Sequence, residues 1–239
     1  MTELNRPRTF ILVPGAGGVA WYWHRVVPLL RAAGHEAIAV DLPGDDPTAG
    51  LPEYTRLVSA AIAGREHEDV VLVAHSLGGF TAPLAATATP VSAIVFVNAM
   101  IPVPGETPGA WWDNTGQGAA RAEAAERHGY PAEFDMDTYF LHDAPAEVIA
   151  TGEHEQRPEA DAVFGSPCDF EAWPAVPIAV VSGAGDRFFP VEFQQRVARD
   201  RLGIEPDVLP GGHLIALSQP DALTRYLLGV SVTATTPAR

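Results

Sequence analysis

Three stretches of this chain, residues 9–14 (TFILVP), 70–74 (VVLVA) and 93–97 (AIVFV), are apolar at nearly every position. A strand with one wet face alternates polar and apolar residues. A strand apolar throughout must be covered on both faces, which is the condition of a parallel sheet enclosed by helices. Residues 36–40, 178–181 and 207–209 read as three further strands. Helical stretches fall between them at 21–33 (Val26, Val27, Leu29 and Leu30 in phase, stopped by Gly34), 52–64, 77–87, 191–201 and 220–228. The alternation predicts an α/β fold, a mostly parallel sheet of about six strands flanked by helices. Residues 230–239, rich in Thr and Ala, are expected to fray.

The rhythm breaks once. Residues 103–173 contain no strand-like run, only helical pieces near 117–128, 137–142 and 145–151 separated by Pro and Gly. The expected organisation is therefore a core of residues 1–102 and 174–239 with a helical cap or lid, 103–173, inserted between two strands. At the carboxyl ends of the strands such a segment would cover a ligand crevice.

Composition narrows the function classes. The 239 residues are 47% hydrophobic and 19% charged, enough apolar material for one α/β core and too little charge for a disordered chain. Acidic residues outnumber basic ones 30 to 15, for a formal charge of −15, so a basic nucleic-acid-binding face is not expected. The lone cysteine, Cys168, admits no intrachain disulfide and reads as a small buried residue. The first eight residues lack the apolar stretch of a signal peptide, and no run approaches the roughly 20 apolar residues of a membrane span. A cytoplasmic protein that does not engage membranes is the expectation.

One junction carries chemistry. In Val70-Val-Leu-Val-Ala-His-Ser-Leu-Gly-Gly-Phe80 an apolar strand runs directly into a helix, with Ser76 at the bend. A bend this sharp strains the serine backbone and lifts its hydroxyl clear of the sheet edge. It also needs small residues two before and two after, which are Ala74 and Gly78. The bland alternative is a serine that merely caps the helix; the strand–serine–helix context favours a nucleophile.

A serine hydroxyl needs a base. His213 follows the last strand in Pro210-Gly-Gly-His-Leu and precedes the final helix, on the same sheet edge as Ser76. The other histidines lack such a setting. His75 is expected to point away and pack, His24 lies beside Trp21 and Trp23, His35 and His67 sit near turns, and His128, His142 and His154 lie in the insertion. Asp186, after the strand 178–181, is the expected orienting acid. The preceding strand ends in Asn98-Ala-Met, without a carboxylate. Asp41 falls in the wrong order and suits a turn cap, and Asp161 and Asp169 sit in the insertion. Two amides should hold the oxyanion: that of Leu77, and one from Pro14-Gly-Ala-Gly-Gly18, with Ala16 first and Gly17 next. No pair of histidines has the spacing of a helical metal site, and no metal or organic cofactor is expected.

These pieces, together with Trp21-Tyr-Trp-His, Asp41-Leu-Pro-Gly and Gly183-Ala-Gly-Asp-Arg-Phe-Phe-Pro, resemble the α/β-hydrolase superfamily, and within it the small plant-type esterase and hydroxynitrile lyase branch. The resemblance implies the α/β-hydrolase fold and a triad of Ser76, Asp186 and His213. Plant hydroxynitrile lyases place a threonine in the loop after the first strand and a lysine beside the histidine; Gly15 and Leu214 stand at the corresponding places. Without the cation, hydrolysis of a small, mostly apolar ester is expected in preference to cyanohydrin cleavage. A lyase or C–C bond hydrolase on the same triad, and a non-catalytic receptor for a small ligand, are the alternatives; a homodimer is left open. Trp111, Trp112, Tyr139, Phe140 and Phe164 are candidates for an apolar pocket, or equally for the insertion's own core.

Overall fold

The structure, a computed structural model, describes residues 6–65, 69–152 and 154–231. His67, the first five residues and the expected fraying tail beyond Ser231 lie outside the described residues. Six strands, β1 (Arg8–Val13), β2 (Glu36–Ala39), β3 (Asp69–His75), β4 (Ala93–Val97), β5 (Ile178–Gly183) and β6 (Asp207–Leu209), form one sheet in the order β2-β1-β3-β4-β5-β6. Every pairing is parallel, with Val13 opposite Ala74, His75 opposite Val97 and Val97 opposite Val181. All six strands therefore end on one edge, where the loops carrying Ser76, Asp186 and His213 begin.

The uniformly apolar strands are covered on both faces. Ile11, Val13, Leu72, Ala74, Ile94 and Phe96 point to one side and pack with α2 (Leu51–Ile62), α3 (Thr81–Ala88) and α7 (Val191–Leu202). Phe10, Leu12, Val71, Val73, Val95 and Val97 point to the other and pack with α1 (Val27–Ala32), α8 (Ile215–Ser218) and α9 (Pro220–Gly229). The period of two is that of the pleat, and each fully buried Val, Leu or Ile contributes about 1.5–3 kcal/mol.

Between β4 and β5 lie α4 (Pro108–Thr115), α5 (Gln117–His128) and α6 (Ala146–Gly152), with a π-type turn at Asp137–Leu141, a 3₁₀ turn at Asp161–Gly165 and no strand among the described residues. Three local expectations change. The helix expected over 21–33 is a 3₁₀ turn, Ala20–Trp23, followed by the short α1. The helix expected from Leu77 begins as a 3₁₀ turn, Ser76–Phe80, because the bend tightens its first turn, and becomes α-helical only at Thr81. α4 was not anticipated. Among the described residues no helix is long and apolar enough to cross a membrane.

Candidate active site

Ser76 is the first residue of the 3₁₀ turn and has φ of 49°, the left-handed conformation that a non-glycine residue adopts only when its surroundings impose it. The bend brings the turn against β1: a side chain at Gly78 would strike the carbonyl of Pro14. The serine hydroxyl does not cap the helix. Its Oγ lies 3.0 Å from His213 Nε2, and His213 Nδ1 lies 2.8 Å from Asp186 Oδ2. All three residues are buried. A carboxylate only accepts, so Nδ1 carries the ring proton and Nε2 offers its lone pair to the serine hydroxyl. The carboxylate is fixed in turn by the amides of Phe188 and Phe189, at 2.9 and 2.8 Å to Oδ1, and by Gln194 Nε2 at 3.3 Å to Oδ2.

The imidazole of His213 is walled by rings. Phe140 stacks on it at 4.9 Å, and Phe188 and Phe189 meet it edge-on at 5.2 and 4.9 Å. Its backbone is anchored from below, since the His213 carbonyl accepts from His75 Nε2 and Asn98 Nδ2, each at 3.0 Å. His75 stacks on Tyr22 at 4.2 Å, and burial holds it well below the ordinary histidine range, so it is neutral. It packs as expected, yet it also lines the cavity at Ser76 rather than pointing away.

The loop after β1 closes the site. Gly18 N donates to Gly15 O at 3.1 Å, a turn whose third residue, Gly17, has φ of 83°. A planar trans peptide sets its N–H opposite its C=O, so this bond directs the Ala16 amide away from Gly18. Ala16 and Leu77 both line the cavity, and among the described residues neither amide has a partner within the protein. The amide of Gly17, the second candidate, is engaged: it donates to Glu159 Oε2 at 2.6 Å.

The cavity beside Ser76 has a volume of about 450 Å³. Of the five aromatic candidates, Trp112, Phe140 and Phe164 line it. Trp111 and Tyr139 do not: both are fully buried, with their polar atoms bonded to the carbonyls of Ile101 and Pro131. Asp41 caps a turn, accepting from Ala20 N at 3.0 Å. Cys168 is buried, and burial pushes its thiol up to about 12, so it is no rival nucleophile. Among the described residues no cluster of His, Cys, Asp or Glu is arranged to hold a metal. Asn98, Gln194, Asp143 (which accepts from Gly212 N at 2.6 Å) and Glu159 were not anticipated, and only Asn98, at a strand end, carried any sequence signal.

Comparison with known proteins agrees with this architecture. The model of the family described as "Alpha/beta hydrolase family" matches residues 10–225. Methylesterase 3 of Arabidopsis thaliana is 34% identical over 151 residues, 56% of this chain and 57% of that protein. Probable esterase PIR7A of Oryza sativa subsp. indica is 43% identical over 107 residues, 41% of each. The matched stretches thus span about half the length of these curated relatives. In three dimensions the chain is similar to the crystal structure of polyneuridine aldehyde esterase, with a TM-score of 0.76 at 24% identity over 93% of this chain and 98% of that one, a likeness of fold.

Proposed function

The chain belongs to the alpha/beta hydrolase family, and from that premise we propose that it is a carboxylic-ester hydrolase acting on a small, mostly apolar ester through an acyl-enzyme on Ser76. The observation that carries this reading is the hydrogen-bonded run from Ser76 through His213 to Asp186, facing a cavity beside two unpartnered amides. His213 Nε2 takes the hydroxyl proton as Oγ bonds to the ester carbonyl carbon. The carbonyl electron pair moves onto oxygen, where the Ala16 and Leu77 amides receive it. One such donor contributes on the order of 10²–10³ in rate. Collapse expels the alcohol, which takes the proton back from His213. Water, deprotonated by the same nitrogen, then releases the acid. Asp186 holds the tautomer and stabilises the imidazolium.

The substrate class follows from the walls. Trp21, Trp112, Phe140, Ile149 and Phe164 make most of the cavity apolar. Four of the five come from residues 103–173, which we read as a cap. The relatives named above are esterases, which favours the same reaction here. Cyanohydrin cleavage is disfavoured by two positions. A side chain at Gly15 would lie 2.8 Å from Ser76 Cβ, leaving no room for the lyases' threonine, and Leu214 brings an apolar group to the cavity where they have a cation.

A fluorophosphonate probe and a series of nitrophenyl esters of increasing chain length test the reading. Ser76 should be labelled, and Ser76→Ala should lose turnover by on the order of 10⁵–10⁶. Retained esterase activity in that variant, or an unlabelled wild type, sinks the assignment. Cyanide release from an aromatic cyanohydrin without ester turnover would favour the lyase.

A further inference from the structure

The segment after α6 crosses the 15–18 turn and grips it from both sides. Glu159 Oε2 accepts from Gly17 N at 2.6 Å, while Oε1 accepts from Tyr54 Oη, on α2, at 2.5 Å. Arg157 Nε donates to Gly17 O at 3.2 Å, and its Nη2 reaches Asp41 Oδ1 at 2.9 Å. Ala160 N donates to Gly44 O at 2.6 Å. Glu159 and Arg157 both line the cavity, yet their bonds go to the turn and its neighbours.

A turn closed by one internal hydrogen bond has a weak point. Its central peptide, here Ala16–Gly17, can rotate to the other turn type, exchanging the direction of its N–H and C=O. An ionised carboxylate at the N–H side opposes that exchange, because it attracts the N–H and repels a carbonyl in the same place. The bond also removes Gly17 from the cavity's donors and leaves Ala16 as the amide that faces it.

We propose that Glu159 is a positioning residue: by holding the Gly17 amide, it pins the 15–18 turn and keeps the Gly17 N–H out of the cavity, so that the Ala16 amide, whose direction the Gly18 N–Gly15 O bond sets, is held in place at the developing oxyanion. The proposal rests on the esterase reading. Burial pushes the Glu159 carboxyl above the ordinary range, opposed by the bonds from Tyr54 and Gly17 and by the Arg157 charge.

The test uses the full chain as wild type, Glu159→Gln and Glu159→Ala. Three quantities are measured: kcat and KM on a short nitrophenyl ester, the rate of Ser76 labelling by a fluorophosphonate, and Tm. The expected order in both kcat and labelling rate is wild type, then Gln about 3- to 10-fold lower, then Ala about 10- to 100-fold lower. KM should stay within about threefold, and the Gln variant should keep the wild-type Tm, since it fills the same space without the buried charge. A Gln variant with wild-type kcat overturns the proposal, and it decides the matter alone if the Ala variant does not fold. A raised KM at unchanged kcat, or a loss of rate only in step with Tm, overturns it too. A wild type that is labelled but turns over no ester sinks the esterase reading, while the labelling series still decides the role of Glu159. A wild type that is neither labelled nor active sinks both.

Discussion

Asn98 directly follows β4 with φ of 44°; the other non-glycine residue with positive φ among those described is Ser76, which directly follows the neighbouring β3. Asparagine tolerates this conformation better than most residues, and here it frees the amide to join three loops. Nδ2 donates to the carbonyls of Gly212 at 2.9 Å and His213 at 3.0 Å, and Oδ1 accepts from Gly183 N at 2.7 Å. Asn98→Asp keeps the shape and the backbone but removes the donor, setting a carboxylate against two carbonyls. Its kcat on a short ester should fall by at least about tenfold through a displaced His213, with a lowered Tm; steady-state kinetics and a thermal melt check this. The sequence singles out Ser76, Asp186 and His213, which the structure joins by hydrogen bonds, because hydrolytic chemistry calls for those residue types in an order that the strand pattern can test. In the sequence Asn98 marks only a place lacking a carboxylate, since a side-chain amide bonded to distant backbone leaves no periodicity behind. Glu159 was silent for the same reason, its partners lying on a turn and a helix far earlier in the chain.

At the scale of elements, the strands were the most legible part, because burial on both faces leaves a run no other structure requires. The helices of the insertion were read less well. α4 was missed although Thr107 caps it, accepting from Ala110 N at 3.1 Å, with Pro108 as its first residue. Its eight residues include two tryptophans and a glycine and carry little of the two-faced pattern that marks a surface helix. What holds it is tertiary. The Glu106 carboxylate, just before the cap, is nearly fully buried and meets Arg201 on α7 at 2.5 and 2.9 Å. It also accepts from Asn114 Nδ2 at 2.8 Å and Val103 N at 3.2 Å. Removing one partner strands a buried guanidinium, so Glu106→Ala should destabilise by about 3–5 kcal/mol in urea unfolding. A loss under about 1 kcal/mol would mean that α4 is held chiefly by Trp111.

For the molecule as a whole, histidines whose burial disfavours the charged form make stability sensitive to acid. Burial is the first cause that lowers His75, and the neighbouring His213, whenever its ring is charged, adds to it; His142 and His35 are shifted the same way, also chiefly by burial. A base depressed in the folded state leaves the unfolded chain with more bound protons once the pH drops below about 6.5. Stability is therefore fully present above that pH and is lost as pH falls from it toward the folded value, at up to about 1.4 kcal/mol per pH unit for the fully buried His75 and by less for the half-exposed His142 and His35, which water screens. The urea midpoint should fall between pH 7.5 and 5.5. His75→Gln, which keeps a donor for the His213 carbonyl, should flatten part of that fall, and an equal fall in both proteins would remove His75 as a cause. Comparing the two cancels the effect of acid on the net charge of −15.

β4 and β5 are neighbours in the sheet although residues 98–177 separate them in the chain. The entropy of closing such a loop rises only with the logarithm of its length, about 0.6 kcal/mol for each doubling. Turns of chain can thus be added to or taken from this excursion, away from the residues that bond to the core, at small cost to the sheet and to the three loops that carry Ser76, Asp186 and His213. The stretch that supplies most of the cavity's apolar wall is the one whose length costs the sheet least to change, so a family built on this sheet can remodel what it admits while leaving untouched what it does to it.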